Sequence, residues 1–192
     1  DTSGLIATWE QIVTVLDTQV PTISCDAAIS VNADAGLCTY ASSQLTPPTT
    51  DDNCAVATVI NDITGTSDAS GTYNVGTTTI TWTVTDIHGN TNTCTQDITV
   101  TDDQDPSITC SGAQTQTADD GVCNAAVTVL GPLTDDNCEV FSVVNDFDGT
   151  SDASGTYPVG TTTVTWTVTD DNGLTATCEQ DVVVTDNISP TI

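Results

Sequence analysis

The chain has 192 residues, 37% of them hydrophobic, with no lysine or arginine, 27 carboxylates and a formal net charge of −27. That length admits two small cores, and the apolar fraction is that of a folded chain rather than a disordered one. With no basic side chain to meet a phosphate, nucleic acid and anionic lipid are excluded as partners; no apolar run reaches the about 18 residues of a membrane span, so no membrane insertion is expected.

Residues 1–23 (DTSGLIATWEQIVTVLDTQVPTI) align without a gap with residues 170–192 (DDNGLTATCEQDVVVTDNISPTI), and two copies of one unit, with a period of 84–85 residues, lie between. The expected organisation is a connector strand at 1–17, the last strand of a neighbouring domain. Two units follow at 18–102 and 103–187, and 188–192 opens a next link. In the connector, Trp9, Val13 and Val15 take the inward phase that Cys94, Ile98 and Val100 take later. Ile12 and Leu16 stand where the units carry Asp97 and Thr101, or Asp181 and Thr185. A strand apolar on both faces is an aggregation hazard if left exposed. It is therefore expected to complete a sandwich outside this chain, by strand donation or as part of a longer polypeptide, with Trp9, Ile12, Val13, Val15 and Leu16 as assembly contacts; a severed piece of an ordinary upstream domain is the competing explanation.

Within the first unit, strands are expected at 22–27, 37–45, 55–61, 71–75, 77–86 and 92–102. The clearest is TTTITWTVTD at 77–86, which alternates Ile80, Trp82 and Val84 with threonines; TTTVTWTVTD repeats it at 161–170. β-Branched threonine suits a half-exposed pleated strand. Turns rich in Gly, Pro, Asp and Asn fall at 33–36, 47–53, 65–70, 74–77 and 87–90. About seven short strands per unit, with no helical period, make the fold all-β: two tandem immunoglobulin-like β-sandwiches, each with a tryptophan (Trp82, Trp166) in its core.

The eight cysteines stand at 25, 38, 54 and 94 and at 110, 123, 138 and 178, four per unit in matching places. An even, repeat-locked set without a CxxC spacing indicates disulfides and an oxidising compartment. Three pairings are open within each unit. The favoured one joins Cys25 to Cys38 and Cys54 to Cys94, and Cys110 to Cys123 and Cys138 to Cys178.

The stretches PTISC, ADAGLC, TDDNC, YNVGTTTITWTVTDIHGN and TCTQDITVTD recur as PSITC, ADDGVC, TDDNC, YPVGTTTVTWTVTDDNG and TCEQDVVVTD. In these motifs and their spacing both units resemble the HYR (hyalin repeat) module, an immunoglobulin-like repeat of secreted and cell-surface proteins. The resemblance implies a β-sandwich in an extracellular structural or adhesive setting, and no catalytic activity. The leading fragment departs from it, with Trp9 where the units carry Cys94 and Cys178.

No catalytic constellation is present. The single histidine, His88, lies in a turn, there is no lysine base, and the serines of GTSDASG (65–71 and 149–155) have no base partner. The aspartates read as calcium ligands. In an immunoglobulin-like topology the loop with Asp51 and Asp52, the turn opening at Asp86 and the incoming Asp17 share one pole. In the second unit the same pole gathers Asp135, Asp136, Asp170 and the linker Asp102, Asp103 and Asp105. Hard oxygens from three segments match the six to eight ligands of Ca²⁺, which would also relieve their mutual repulsion. The expected protein is a structural building block of an extracellular fibre or surface stalk, disulfide-braced, calcium-stabilised and joined head to tail with copies of itself. An adhesin or glycan-binding repeat is the second reading.

Overall fold

Alternation along the sequence becomes sixteen strands among the described residues, which in this computed structural model are 3, 4, 6 and 8–189. The first copy of the repeat supplies β1 (Thr22–Ser24), β2 (Ile29–Asn32), β3 (Thr39–Ser42), β4 (Thr49–Asp51), β5 (Val56–Asn61), β6 (Gly71–Asn74), β7 (Gly76–Asp86) and β8 (Thr91–Thr101). The second supplies β9 (Ser107–Thr109), β10 (Gln114–Thr117), β11 (Asn124–Val127), β12 (Leu133–Asp135), β13 (Val140–Asn145), β14 (Gly155–Pro158), β15 (Gly160–Asp170) and β16 (Thr175–Thr185). All of it is β-structure, as the period-2 pattern predicts.

Both copies pair their strands alike. A four-stranded sheet runs β2-β8-β7-β5 in the first and β10-β16-β15-β13 in the second; two-stranded sheets join β1 to β4 and β3 to β6, and β9 to β12 and β11 to β14. The 11-residue strands β15 and β16 form an antiparallel ladder in which Trp166 faces Cys178, while β10 runs parallel to β16 from Gln114↔Val182 to Thr117↔Thr185. Sequence patterning misses β2 and β4. Each has three or four residues, and a parallel partner such as β10 has no tight turn to announce it.

The described residues gather into two compact units: one takes in residues up to Ile29 with Ser42–Gly71 and Thr79–Ile98, the other Ser30–Ala41, Thr72–Thr78 and Thr99 onward. In the first, Ile80, Trp82, Val84 and Ile98 are at most 1% exposed. In the second, Val164, Trp166, Val182 and Val184 pack with Ala125, Ala153 and Tyr157. Trp166 donates through Nε1 to Gln180 Oε1 at 3.0 Å, and the Gln180 amide in turn donates to the carbonyls of Gly112 and Leu130. The indole is therefore a core anchor with its one polar atom satisfied.

The favoured disulfide pairing is overturned. Cys25 bonds Cys94 and Cys110 bonds Cys178, with Cα separations of 5.8 and 5.7 Å. The cause lies in the stretch around β1. Asn92 Nδ2 donates to the Pro21 carbonyl and Gln96 Nε2 to the Ala27 carbonyl, so residues 21–27 run beside β8 and bring Cys25 to Cys94. Cys38 instead leads into β3, which belongs to a different sheet with β6. Within the second compact unit Cys38 bonds Cys138, with Cα atoms 4.6 Å apart, while Cys54 and Cys123 are unpaired and exposed.

The expected connector is only partly within the described residues, since 1, 2, 5 and 7 fall outside them. Those described up to residue 17 belong to no strand, and Trp9, Ile12, Val13, Val15 and Leu16 are 74–88% exposed.

Candidate metal centre

A carboxylate before a sandwich, another in the TDDNC loop and a third at the end of the Trp strand meet in each copy. In the second unit these are Asp102, Asp136 and Asp170, each offering an oxygen within 4.8 Å of the others. Asp102 follows directly on β8, Asp136 follows β12, and Asp170 closes β15 at the turn to β16. Rigid strand ends thus supply two of the three groups and a short loop the third.

The backbone holds these side chains by one edge. Asp136 Oδ2 accepts the amides of Cys138 and Glu139 at 2.9 and 3.1 Å. Asp170 Oδ1 accepts those of Asn172 and Leu174 at 2.9 and 2.8 Å. Asp102 Oδ1 accepts the Gln104 amide and Asn137 Nδ2, and its Oδ2 accepts Asn172 Nδ2 at 3.3 Å. The remaining oxygens, Asp136 Oδ1 and Asp170 Oδ2, are buried and have no hydrogen-bond partner. Asp102 and Asp170 are themselves 4% and 1% exposed. Burying an unpartnered carboxylate oxygen is costly, and three carboxylates at this spacing repel by about 3 kcal/mol per pair at an effective dielectric of 20. A hard cation of about Ca²⁺ size would relieve both costs, with Asp136 Oδ1 and Asp170 Oδ2 as the oxygens free to hold it.

The first unit repeats the arrangement with Asp17, Asp52 and Asp86, again within 4.8 Å, and with Asp17 Oδ2 and Asp52 Oδ1 buried and without a hydrogen-bond partner. Its chemistry differs. Asn90 Nδ2 donates to Asp86 Oδ2 at 2.7 Å, where the second copy has Leu174, and His88 Nδ1 stands 3.3 Å from Asp17 Oδ2, where the second has Asn172. Burial pushes the Asp86 carboxyl up, but donors from Asn90, His88 and Gly89 outweigh it and hold the group below its usual value. The Gln19 amide and the Cys54 thiol lower Asp17 likewise, and the same thiol–carboxylate hydrogen bond, with desolvation, raises Cys54. The first cluster thus has an imidazole and a thiol beside its carboxylates, whereas the second is lined by carboxylates, asparagine amides and backbone alone.

Four expected ligands lie outside both clusters: Asp51 and Asp135 are exposed and belong to β4 and β12, Asp103 accepts Asn32 Nδ2, and Asp105 is exposed. In the TDDNC motif the strand takes the first aspartate and leaves the second to fold back on the next amides. Sequence reading passed over His88, Asn137 and Asn172 as members of the site, although all three lie beside its aspartates in the motifs already singled out.

A family model described as HYR domain matches residues 16–100 and 101–184. The chain is 28% identical over 171 residues to hyalin of Strongylocentrotus purpuratus, covering 86% of this chain and 14% of that protein. It is 35% identical over 152 residues to hyalin of Lytechinus variegatus, covering 77% and 27%. The chain thus spans a small part of the length of these relatives. Among solved structures, mouse cadherin-23 EC22-24 is similar with a TM-score of 0.45 and 14% identity, over 89% of this chain and 66% of that one.

Proposed function

Because the chain belongs to the HYR domain family, we propose that it is a structural link in an extracellular assembly, braced by disulfides and stiffened by Ca²⁺ where the backbone enters each sandwich. It is an extracellular, adhesion-type module, and its three disulfides match an oxidising setting. The observation that carries the structural reading is the Asp102–Asp136–Asp170 cluster with its unpartnered buried oxygens. A cation there ties the entering backbone to two loops of the same unit, which serves stiffness rather than catalysis.

We read head-to-tail joining in the leading segment, which repeats the sequence of the last strand of each sandwich. Its homologues β8 and β16 are interior strands, each flanked on both sides. In this chain both places are filled, so a complete copy could receive the segment only by losing its own strand. The receiving partner is therefore an HYR sandwich that lacks its last strand, and Trp9 would fill the space that Cys94 or Cys178 occupies as half of a disulfide. Electron microscopy of the native extracellular material tests the reading. Filaments with a one- or two-domain repeat that become flexible in EDTA are expected; dispersed monomers with and without calcium would overturn it.

A further inference from the structure

Cys54 and Cys123 are the two cysteines without a partner, yet each repeats a cysteine that has one. By the sequence repeat Cys54 matches Cys138, and Cys123 matches Cys38; Cys38 and Cys138 are bonded to each other. The backbone frames match as closely as the positions. The amides of Cys54 and Cys138 both donate to the aspartate two residues before, at 2.9 Å, and Asn53 Nδ2 and Asn137 Nδ2 both lie 3.5 Å from the following sulfur. On the other side, the Val75 amide donates to the Cys38 carbonyl at 3.2 Å and the Val159 amide to the Cys123 carbonyl at 3.0 Å. Asp34 and Asp119 close the same turn before each cysteine, with Gly36 and Gly121 at φ 72 and 78.

We infer that Cys54 and Cys123 are the open halves of a repeat-to-repeat disulfide ladder. Cys123 bonds the TDDNC cysteine of a following HYR repeat, and Cys54 bonds the cysteine before β3 of a preceding one, as Cys38 and Cys138 do within the second unit. The occupant of each position is thus a second HYR module presenting the complementary cysteine. Cys54 is exposed and lines a recess of about 190 Å³ with Val15, Leu16, Asp17, Asn53 and His88. Asn53 is positioned to receive such a module: its counterpart Asn137 donates to the carbonyl of Leu37, the residue before Cys38, at 3.1 Å. The bond forms by oxidation of two thiols, with the electrons and protons passing to a glutathione disulfide that leaves as two glutathione thiols.

This inference deepens the reading of the chain as a link in an array, and its test reads a covalent bond rather than calcium or filament shape, so either can fail alone. The 192-residue chain is prepared as C54S and as C123S and held with calcium in a glutathione redox buffer. Each variant alone is expected to remain monomeric on a non-reducing gel, and their mixture to give one heterodimer containing a Cys54–Cys123 peptide between chains. Wild-type chain gives a ladder. Homodimers of either variant, a Cys54–Cys123 bond inside one chain, or no bond in the mixture would overturn the inference. Retention of the Cys25–Cys94 and Cys38–Cys138 peptides and an unchanged thermal melt show that the variants are folded. Mass spectrometry of native material, which needs no variant, must find the same linkage. Reduction that releases units of this chain's mass identifies separate copies, and reduction that leaves a longer polypeptide identifies consecutive repeats.

Discussion

Asp102 and Asp170, 4% and 1% exposed, bring carboxylate oxygens within 4.8 Å of each other in a chain with no lysine or arginine. The donors that face them, Asn137, Asn172 and backbone amides, carry no positive charge, and the third carboxylate, Asp136, adds a like one. At a free Ca²⁺ concentration tenfold above its dissociation constant, an occupied site adds about 1.4 kcal/mol, or about 5–10 °C for an 84-residue repeat. Asp136→Asn separates binding from repulsion. In EDTA the variant is expected to melt above the wild type because one like charge is gone, and with calcium below it because a ligand is gone. Calorimetry with and without calcium reads both, and a variant that melts below the wild type in EDTA contradicts the repulsion argument.

How much of this site could be read from the sequence depends on where each aspartate sits relative to a strand. The three-segment cluster was legible because TDDNC, WTVTD and the linker aspartate recur at one period and an immunoglobulin-like order places them at one pole. Which of two adjacent aspartates serves was not legible. Asp51 and Asp52 differ only in that Asp51 lies in β4, a three-residue strand with no periodicity of its own. The disulfides failed for a related reason. The stretch from Pro21 to Ala27, around β1, is held beside β8 by side-chain bonds from Asn92 and Gln96, a non-local path that no turn motif records. The alternating faces around Trp82 and Trp166 were legible in full, because eleven-residue strands carry enough repeats of the pattern to fix their register.

Gly155 has no room for a side chain. A Cβ there would stand 2.9 Å from Phe147 Cε1, and that ring stacks on Tyr157 with centroids 4.4 Å apart. Gly155→Ala is expected to cost about 1–3 kcal/mol through displacement of the stacked pair. The first copy provides the control: Gly71, the equivalent residue, has nothing within 4 Å of its Cβ, and Ile63 replaces the phenylalanine. Gly71→Ala should therefore be milder, and adding Phe147→Ile to Gly155→Ala should recover part of the loss in urea unfolding.

Asp68 and Asp152 set part of the acid limit. The Ser70 hydroxyl and amide hold the Asp68 carboxyl below its ordinary value of 3.8, and those of Ser154 do the same for Asp152. A carboxylate lowered by folding contributes stability that is fully present above its unfolded pKa and is lost as pH falls through the folded one. The loss is therefore expected below about pH 4. Asp68→Asn and Asp152→Asn keep an oxygen acceptor for the serine amides but do not titrate. Together they should flatten the decline of thermal stability between about pH 4 and 2 and lower the neutral-pH melt toward the acid value, because the contribution of the charged forms is gone. An equally steep decline in the double variant would assign the acid limit to other carboxylates.

Trp9 reports on what covers the leading segment. It is 87% exposed, whereas Trp82 and Trp166 are fully buried, so the three indoles of the chain fall into two classes. In the isolated chain one class of tryptophan emission should be red-shifted and readily quenched by neutral acrylamide, and Trp9→Phe should remove it. Acrylamide avoids the bias that a charge of −27 imposes on ionic quenchers. If a neighbouring sandwich takes up the segment, the indole moves to the position of Cys94 or Cys178, beside an interior strand and away from water. In native assembled material the Trp9 class should then be blue-shifted and protected, and mild dissociation should restore its quenching. Equal quenching before and after dissociation would mean that the segment stays in solvent, and that the modules are joined by some contact other than this strand.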